Sequence, residues 1–246
     1  MRRFGLIGFP LSHSFSPAYF AKKFENEGHS DCLYEAFPIK SVEELTSLLL
    51  DKPDLEGLNV TIPYKKTVLP YLESYIEAVE KTGACNCIKI KNGKLTGYNT
   101  DVIGFEKSLL SNLTDAHNKA LILGTGGSAA AVEFVLKKSG IQFLFVSRKS
   151  QPGKSILTYD EISQNILNEY KLIINTTPLG MYPDVDECPD ISYDYLTKDH
   201  YLYDLVYNPQ QTLFLKKGAA KGAITKNGAD MLIIQAEESW KIWNEP

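Results

Sequence analysis

No stretch of this 246-residue chain approaches the roughly 20 consecutive apolar residues that a membrane-spanning helix needs. Residues 1–8 run straight into an apolar strand pattern rather than the core of a signal peptide, so the expected compartment is the cytoplasm. Basic excess is also missing. With 26 Lys and Arg against 30 Asp and Glu, the net charge of -4 gives no electrostatic reason to expect nucleic acid or an anionic membrane as partner. Cysteine is scarce, and Cys32, Cys85, Cys87 and Cys188 lack the paired C-x-x-C spacing of a zinc site. They read as free, mostly buried thiols, and no metal is expected. There is neither an internal repeat nor a low-complexity segment. Small molecules are therefore the default ligands of a globular chain long enough for one large domain or two smaller ones.

What is present is a β-α rhythm. Strand-like runs at 4–8, 33–37 and 58–62 alternate with helical runs at 17–27, 42–50 and from Lys65 onward. Ser16 reads as a helix N-cap before Pro17, and Ser41 with Glu44 reads as a capping box. Asn92-Gly93 predicts a tight hairpin between 85–91 and 94–100. The rhythm then restarts with strands at 120–123, 143–147, 172–175 and 201–204 and a helix at 128–138. A helix at 101–112 would join the two series, and an amphipathic helix at 230–243 could pack back on the first. Residues 150–170 and 183–199 suggest loops and short helices.

The second series opens with Ala-Leu-Ile-Leu-Gly-Thr-Gly-Gly-Ser-Ala at 120–129, a strand, a G-x-G-x-x-A turn and a helix start. Gly124 permits the tight turn, Gly126 lets backbone approach a pyrophosphate, and Ala129 allows close helix-strand packing. With Gly127 and Ser128 these residues form the candidate cofactor loop. About 20 residues on, where NAD binders carry an acid, the chain has Ser147-Arg148-Lys149. Two cations without a carboxylate suit the 2′-phosphate of NADP; a solvated strand end is the plainer alternative.

The first series holds a polar constellation. In Asn-Val-Thr-Ile-Pro-Tyr-Lys at 59–65, Val60 and Ile62 suit one face of a buried strand, Pro63 ends it, and Lys65 falls in the turn past its carboxyl end. Ser14 and Ser16 follow the first strand, where free N–H groups and two hydroxyls could hold a carboxylate. Asn86 sits between apolar neighbours on an expected strand, and Asp101 closes the hairpin, either as a helix N-cap or as a catalytic acid.

Taken with 13–17, 59–65, 83–86, 97–101, the Gly124 loop, 175–181, 204–209 and 231–236, the sequence resembles the shikimate dehydrogenase family along nearly its whole length. The resemblance implies two α/β domains facing each other across a cleft. Residues 1–101, completed by the C-terminal helix 228–246, would bind substrate, and 102–227 would form a Rossmann-type NADP domain. It implies NADPH-dependent reduction of 3-dehydroshikimate to shikimate, a step toward the aromatic amino acids, with Lys65 and Asp101 as the catalytic pair. Ser14 and Ser16 would hold the substrate carboxylate, and Thr61, Asn86, Asp101 and Gln235 its ring hydroxyls, with Tyr207 in the same pocket. Thr176 would approach the cofactor, Leu205 would border the nicotinamide, and Gly228 would bring backbone to its carboxamide. A monomer or homodimer is expected. Ser147 and Lys149 depart from the family's Asn-Arg-Thr, and Pro152 stands where a second arginine is common. Cys87 replaces a threonine, and Ala229-Asp230 replace Leu-Gly. A relative that also oxidises quinate, or a catalytically idle NADP-binding regulator on the same fold, are the competing readings.

Overall fold

The computed structural model describes residues 1–12, 14–149 and 156–246; His13 of the first motif and Pro152 lie outside the described residues. The chain divides into two compact units, one of residues 1–103 with 235–246 and one of residues 104–234.

The first unit is built from β1 (Arg2–Ile7), α1 (Phe15–Glu27), β2 (Cys32–Phe37), α2 (Glu44–Asp51), β3 (Leu55–Val60), β4 (Ser74–Tyr75), α3 (Glu77–Thr82), β5 (Cys87–Lys91), β6 (Lys94–Tyr98) and the start of α4 (Thr100–Leu110). Its sheet runs β2-β1-β3-β5-β6-β4, with β1, β2 and β3 parallel and β5 antiparallel to both neighbours. The hairpin turn is as expected: Asn92 and Gly93 take φ of 53° and 76°, the left-handed pair that a two-residue connection needs.

The second unit holds β7 (Lys119–Leu123), α5 (Gly127–Lys138), β8 (Gln142–Ser147), β9 (Ile156–Thr158), α6 (Gln164–Glu169), β10 (Leu172–Asn175), β11 (Tyr201–Asp204), α7 (Leu213–Ala220), β12 (Ile224–Lys226) and the start of α8 (Ala229–Asn244). Its all-parallel sheet runs β12-β11-β10-β7-β8-β9. That is the doubly wound Rossmann order, which reverses between β7 and β10 and opens its ligand crevice at their carboxyl ends. The fold is thus α/β throughout, in two units.

Alternating strand residues separate the two faces of the first sheet. Phe4 and Leu6 pack on Phe20, Phe24, Tyr34 and Trp243, while Ile7, Leu58, Val60 and Ile88 face Leu45, Tyr64 and Val68. Phe4 stacks on Trp243 with ring centroids 4.9 Å apart, so Phe4→Ala would cost about 3–5 kcal/mol. In the second unit Leu121, Leu123, Val146, Ile173, Leu202 and Phe214 form one cluster.

Several local expectations need correction. β3 ends at Val60: Thr61 N–H makes the ladder bond to Ile7 O that closes its pairing with β1, Pro63 has no N–H to continue, and residues 62–68 turn, leaving Ile62 72% exposed. No α-helix begins at Lys65; turns lead into a 3-10 turn at Leu69–Tyr71, where Pro70 supplies no N–H. Helix α1 is capped at Ser14 rather than Ser16. Glu44 does reach back to the Ser41 N–H at 3.0 Å, but α2 starts at Glu44, not at 42. Within the region expected to be loops and short helices, β9 adds an edge strand.

Candidate active site

Parallel pairing brings the carboxyl ends of β1 and β3 side by side, with Thr61 N–H donating to Ile7 O at 2.9 Å and Phe9 N–H to Ile62 O at 3.1 Å. Ser14, at the N-cap of α1, makes no capping bond with its hydroxyl. Ser16 lies in the first turn, where its hydroxyl counteracts the rise that burial imposes on the Tyr34 phenol. Thr61 is half-buried just past β3.

Lys65 is placed through its backbone. Its carbonyl accepts the Cys85 N–H at 2.7 Å, which sets it beside Asn86. Asn86, 4% exposed, accepts the Thr100 N–H on Oδ1 at 2.6 Å and donates from Nδ2 to Thr100 Oγ1 at 3.1 Å and Gln235 Oε1 at 3.3 Å. Pinning Thr100 fixes the next residue, and Asp101 Oδ2 stands 2.7 Å from Lys65 Nζ. The structure therefore brings together Lys65, Asn86, Asp101 and Gln235, from four separate stretches of the chain. The alternative of Asp101 as N-cap is not what the structure adopts: Asn99 Oδ1 accepts the Val102 N–H at 3.4 Å and leaves the Asp101 carboxylate to Lys65. The ion pair is partly open to solvent, 33% and 15% exposed, so it contributes at most about 1 kcal/mol to stability and is accessible to a ligand.

Beneath these groups lies a buried layer that sequence reasoning did not single out. Tyr34 donates to Asn59 Oδ1 at 2.8 Å, Asn59 Nδ2 donates to Ser239 Oγ at 3.0 Å, and Ser239 donates to Gln235 O at 2.9 Å. Asn59 was the visible signal, an amide alternating with the apolar residues of a strand.

In the second unit Gly124, at φ 103°, turns the chain out of β7; a side chain there would meet Thr176 Oγ1 at 2.8 Å. Gly126 caps α5 with no side-chain bond, and open space surrounds the positions that a Cβ would take at Gly126 and Gly127. Ser128 is exposed, while Ala129 is 2% exposed, the packing role expected of it. Exposed backbone at an uncapped, 12-residue helix start, with space for a group to approach, fits a pyrophosphate. Arg148 and Lys149 are exposed directly after β8, whose Val146 O accepts the Gly124 N–H at 2.8 Å, so both cations share the sheet end of the glycine loop. Arg148 also opposes the rise that burial gives the Tyr159 phenol.

Thr176 donates Oγ1–H to Leu123 O at 2.7 Å, Leu205 N–H donates to Asn175 O at 3.0 Å, and Gly228 lies flat against the Leu205 carbonyl. Burial pushes the Asp204 carboxyl up to about 6 against three hydrogen bonds that lower it. Tyr207, 38% exposed, belongs to this second unit, whereas the other expected substrate residues belong to the first. Among the described residues no group of three or more His, Cys, Asp or Glu could hold a metal ion, and no helix is long and apolar enough to cross a membrane.

A family model for the shikimate dehydrogenase substrate binding domain matches residues 6–88. The shikimate dehydrogenase (NADP(+)) of Clostridium beijerinckii is 38% identical across all of this chain and 93% of its own length. The solved shikimate 5-dehydrogenase of Thermus thermophilus, in complex with NADP(H) and shikimate, superposes with a TM-score of 0.85 at 29% identity, covering 99% of this chain and 94% of that one. The quinate dehydrogenase of Corynebacterium glutamicum, in complex with NAD, gives 0.87 at 28% identity over 99% and 92%. The chain belongs to the shikimate dehydrogenase family.

Proposed function

We propose that this chain catalyses the reversible NADPH-dependent reduction of 3-dehydroshikimate to shikimate, with substrate bound by the first unit and NADP by the second. The observation that carries the catalytic assignment is the 2.7 Å Lys65–Asp101 pair set beside Asn86 and Gln235. NADPH supplies the hydride. As the ring carbonyl becomes an alkoxide, the Lys65 ammonium stabilises the growing negative charge and can deliver the proton that completes the alcohol. Asp101 holds that ammonium through Oδ2 and has Oδ1 left to accept a neighbouring ring hydroxyl, so one carboxylate fixes both proton donor and substrate. Asn86 and Gln235 orient further hydroxyls, and Ser14, Ser16 and Thr61 supply hydroxyls for the substrate carboxylate and ring. Tyr207 is also assigned to the substrate.

For the cofactor we assign the first-turn N–H groups of α5, with Gly124, Gly126, Gly127, Ser128 and Ala129 shaping the loop, to the pyrophosphate. Arg148 and Lys149 meet the 2′-phosphate, and Thr176, Leu205 and Gly228 lie toward the nicotinamide.

Formation of NADPH from NADP and shikimate, followed by absorbance, tests the reading. Rapid turnover with shikimate and NADP is expected. Equal kcat/KM for quinate would establish the broader dehydrogenase that the Corynebacterium relative makes worth testing, and a folded protein inactive on both would favour the idle regulator.

A further inference from the structure

Asp204 ends β11 completely buried and meets three donors: Asn175 Nδ2 at 2.9 Å and Val206 N–H at 3.0 Å on Oδ1, and the Thr212 hydroxyl at 2.6 Å on Oδ2. Asn175, also fully buried, ends the neighbouring strand β10. Its Oδ1 accepts the Thr177 N–H at 3.0 Å and hydroxyl at 2.6 Å, and that hydroxyl in turn accepts the Leu179 N–H at 3.3 Å. The backbone follows the same chain of bonds, Leu205 N–H donating to Asn175 O and Gly228 N–H to Val206 O. Thr176, Leu205 and Gly228 are each either next in sequence to a residue of this network or bonded to one. None of the three touches the carboxylate itself.

We propose that Asp204 is a positioning residue for the dinucleotide, acting through Asn175 and Val206 to hold the 175–179 and 204–206 loops in the shape that receives the nicotinamide end. This rests on the cofactor reading above and adds to it a buried group behind the binding surface. A buried carboxylate disfavours the fold relative to an apolar residue unless its oxygens are satisfied, and here its donors are the last residue of β10, the loop after β11 and the cap of α7, all at the ligand end of the sheet. The Asp204 carboxyl, raised to about 6, is mostly ionised at pH 7 and so is an acceptor only, as its three donors require.

The test is direct NADPH binding by fluorescence, with shikimate KM and melting temperature measured alongside. Asp204→Ala should weaken NADPH at least tenfold while shikimate KM stays within twofold. Asp204→Asn keeps an oxygen for Asn175 and Val206, and its amide can donate to the Thr212 hydroxyl, so it should stay within threefold of the parent. Thr212→Val removes the third partner and an α7 cap without touching either loop; it should lower the melting temperature and leave NADPH affinity unchanged. Parental NADPH affinity in folded Asp204→Ala, or an equal loss in Thr212→Val, overturns the proposal. If Asp204→Ala does not fold, Asn175→Ala decides by the same tenfold criterion, and parental affinity there is equally fatal. A parent chain that binds NADPH without oxidising shikimate would refute the functional reading while the binding comparison still judged Asp204. A parent that binds no NADPH overturns both.

Discussion

The two units arrange their candidate binding groups by opposite means. In the first, polar side chains from separate stretches hold one another: Asn86 grips Thr100 and Gln235, and Asp101 grips Lys65. In the second, residues 125–128 are exposed with open space over Gly126 and Gly127, while the polar anchors Asn175 and Asp204 are completely buried at the ends of β10 and β11. One surface is made of side chains, the other of backbone from which side chains are missing. The difference suits the ligands proposed for them: a polyhydroxylated acid presents many small groups in fixed directions, whereas a pyrophosphate needs close-approaching N–H groups. The first surface should therefore fail by subtraction and the second by addition.

The largest effect belongs to subtraction at Lys65. In the proposed mechanism its help arises on the developing alkoxide, so Lys65→Met should lower kcat at least a hundredfold, about 3 kcal/mol, with a much smaller change in KM. Circular dichroism should show a normal fold, since Lys65 is partly exposed and its backbone bond to Cys85 persists. Asp101→Asn should lower kcat and also raise KM for shikimate, and the double variant should lose less than the sum because the two groups act together. A folded Lys65→Met enzyme with near-parental kcat would remove lysine from the mechanism.

Addition is tested at Gly126. Its φ of -79° and ψ of -170° suit any residue, and a Cβ there meets no protein atom within 4 Å, so Gly126→Val should fold. The reduced freedom of the unfolded chain, worth up to about 1 kcal/mol, is offset by the poorer N-cap, and melting should move little. NADPH Kd should nevertheless rise more than tenfold with shikimate KM unchanged. Unaltered NADPH binding would show that the pyrophosphate does not approach this backbone.

How well each unit could be read from sequence follows the same division. Glycine spacing between a strand and a helix is a local signal, and the Gly124–Ala129 loop and the Asn92-Gly93 turn stand where their residues predict. Lys65, Asn86 and Asp101 were visible as polar residues at strand ends, but the Lys65–Asp101 and Asn86–Thr100 bonds run across 36 and 14 positions and required the fold. The Asn59–Ser239 bond spans 180 positions and left no periodic trace. The short elements escaped for a simpler reason: β4, β9 and β12 have two or three residues, too few to show a period of two, and α3 has six. Ile62 misled because an apolar β-branched residue after Val60 continues the alternation, while Pro63 has no N–H for the ladder and the chain turns from residue 62.

A smaller effect is expected at the edge of the second surface. Arg148 is exposed, and among the described residues it is matched with no carboxylate, so its charge is available to a phosphate. Arg148→Ala should cut the ratio of kcat/KM for NADP over NAD about tenfold, near 1.4 kcal/mol, chiefly through NADP, and the loss should shrink as salt is raised. An unchanged ratio would transfer the 2′-phosphate to Lys149 or elsewhere.

The smallest effect separates the units by acid sensitivity rather than by ligand. Thr114 and Thr197 each open a turn in which a histidine three residues on accepts the threonine N–H on Nδ1 at 3.0 Å; Nε2 of His117 then faces Asp199 O and that of His200 faces Leu167 O. Both rings are buried in the second unit, and burial lowers both below the usual histidine value, whereas His29 in the first unit is partly exposed beside Glu27. A protonated ring has no lone pair for the threonine N–H, so the unfolded chain binds protons the folded one resists. The stability from each neutral ring is full above the unfolded value near 6.5 and is lost as pH falls through it toward the lowered folded value. His117→Gln keeps an acceptor at the same capping position and does not titrate. Between pH 7 and pH 5 the parent should therefore lose about 1 kcal/mol more stability in urea than His117→Gln. Protonation of Asp204 below about pH 6 works in the opposite direction in both proteins and cancels from the difference. Hydrogen exchange at pH 5 should show the excess opening at 114–119 and 197–201, with the first unit unchanged; identical acid dependence of the two proteins would mean that the folded chain accepts a proton on His117 without giving up its cap.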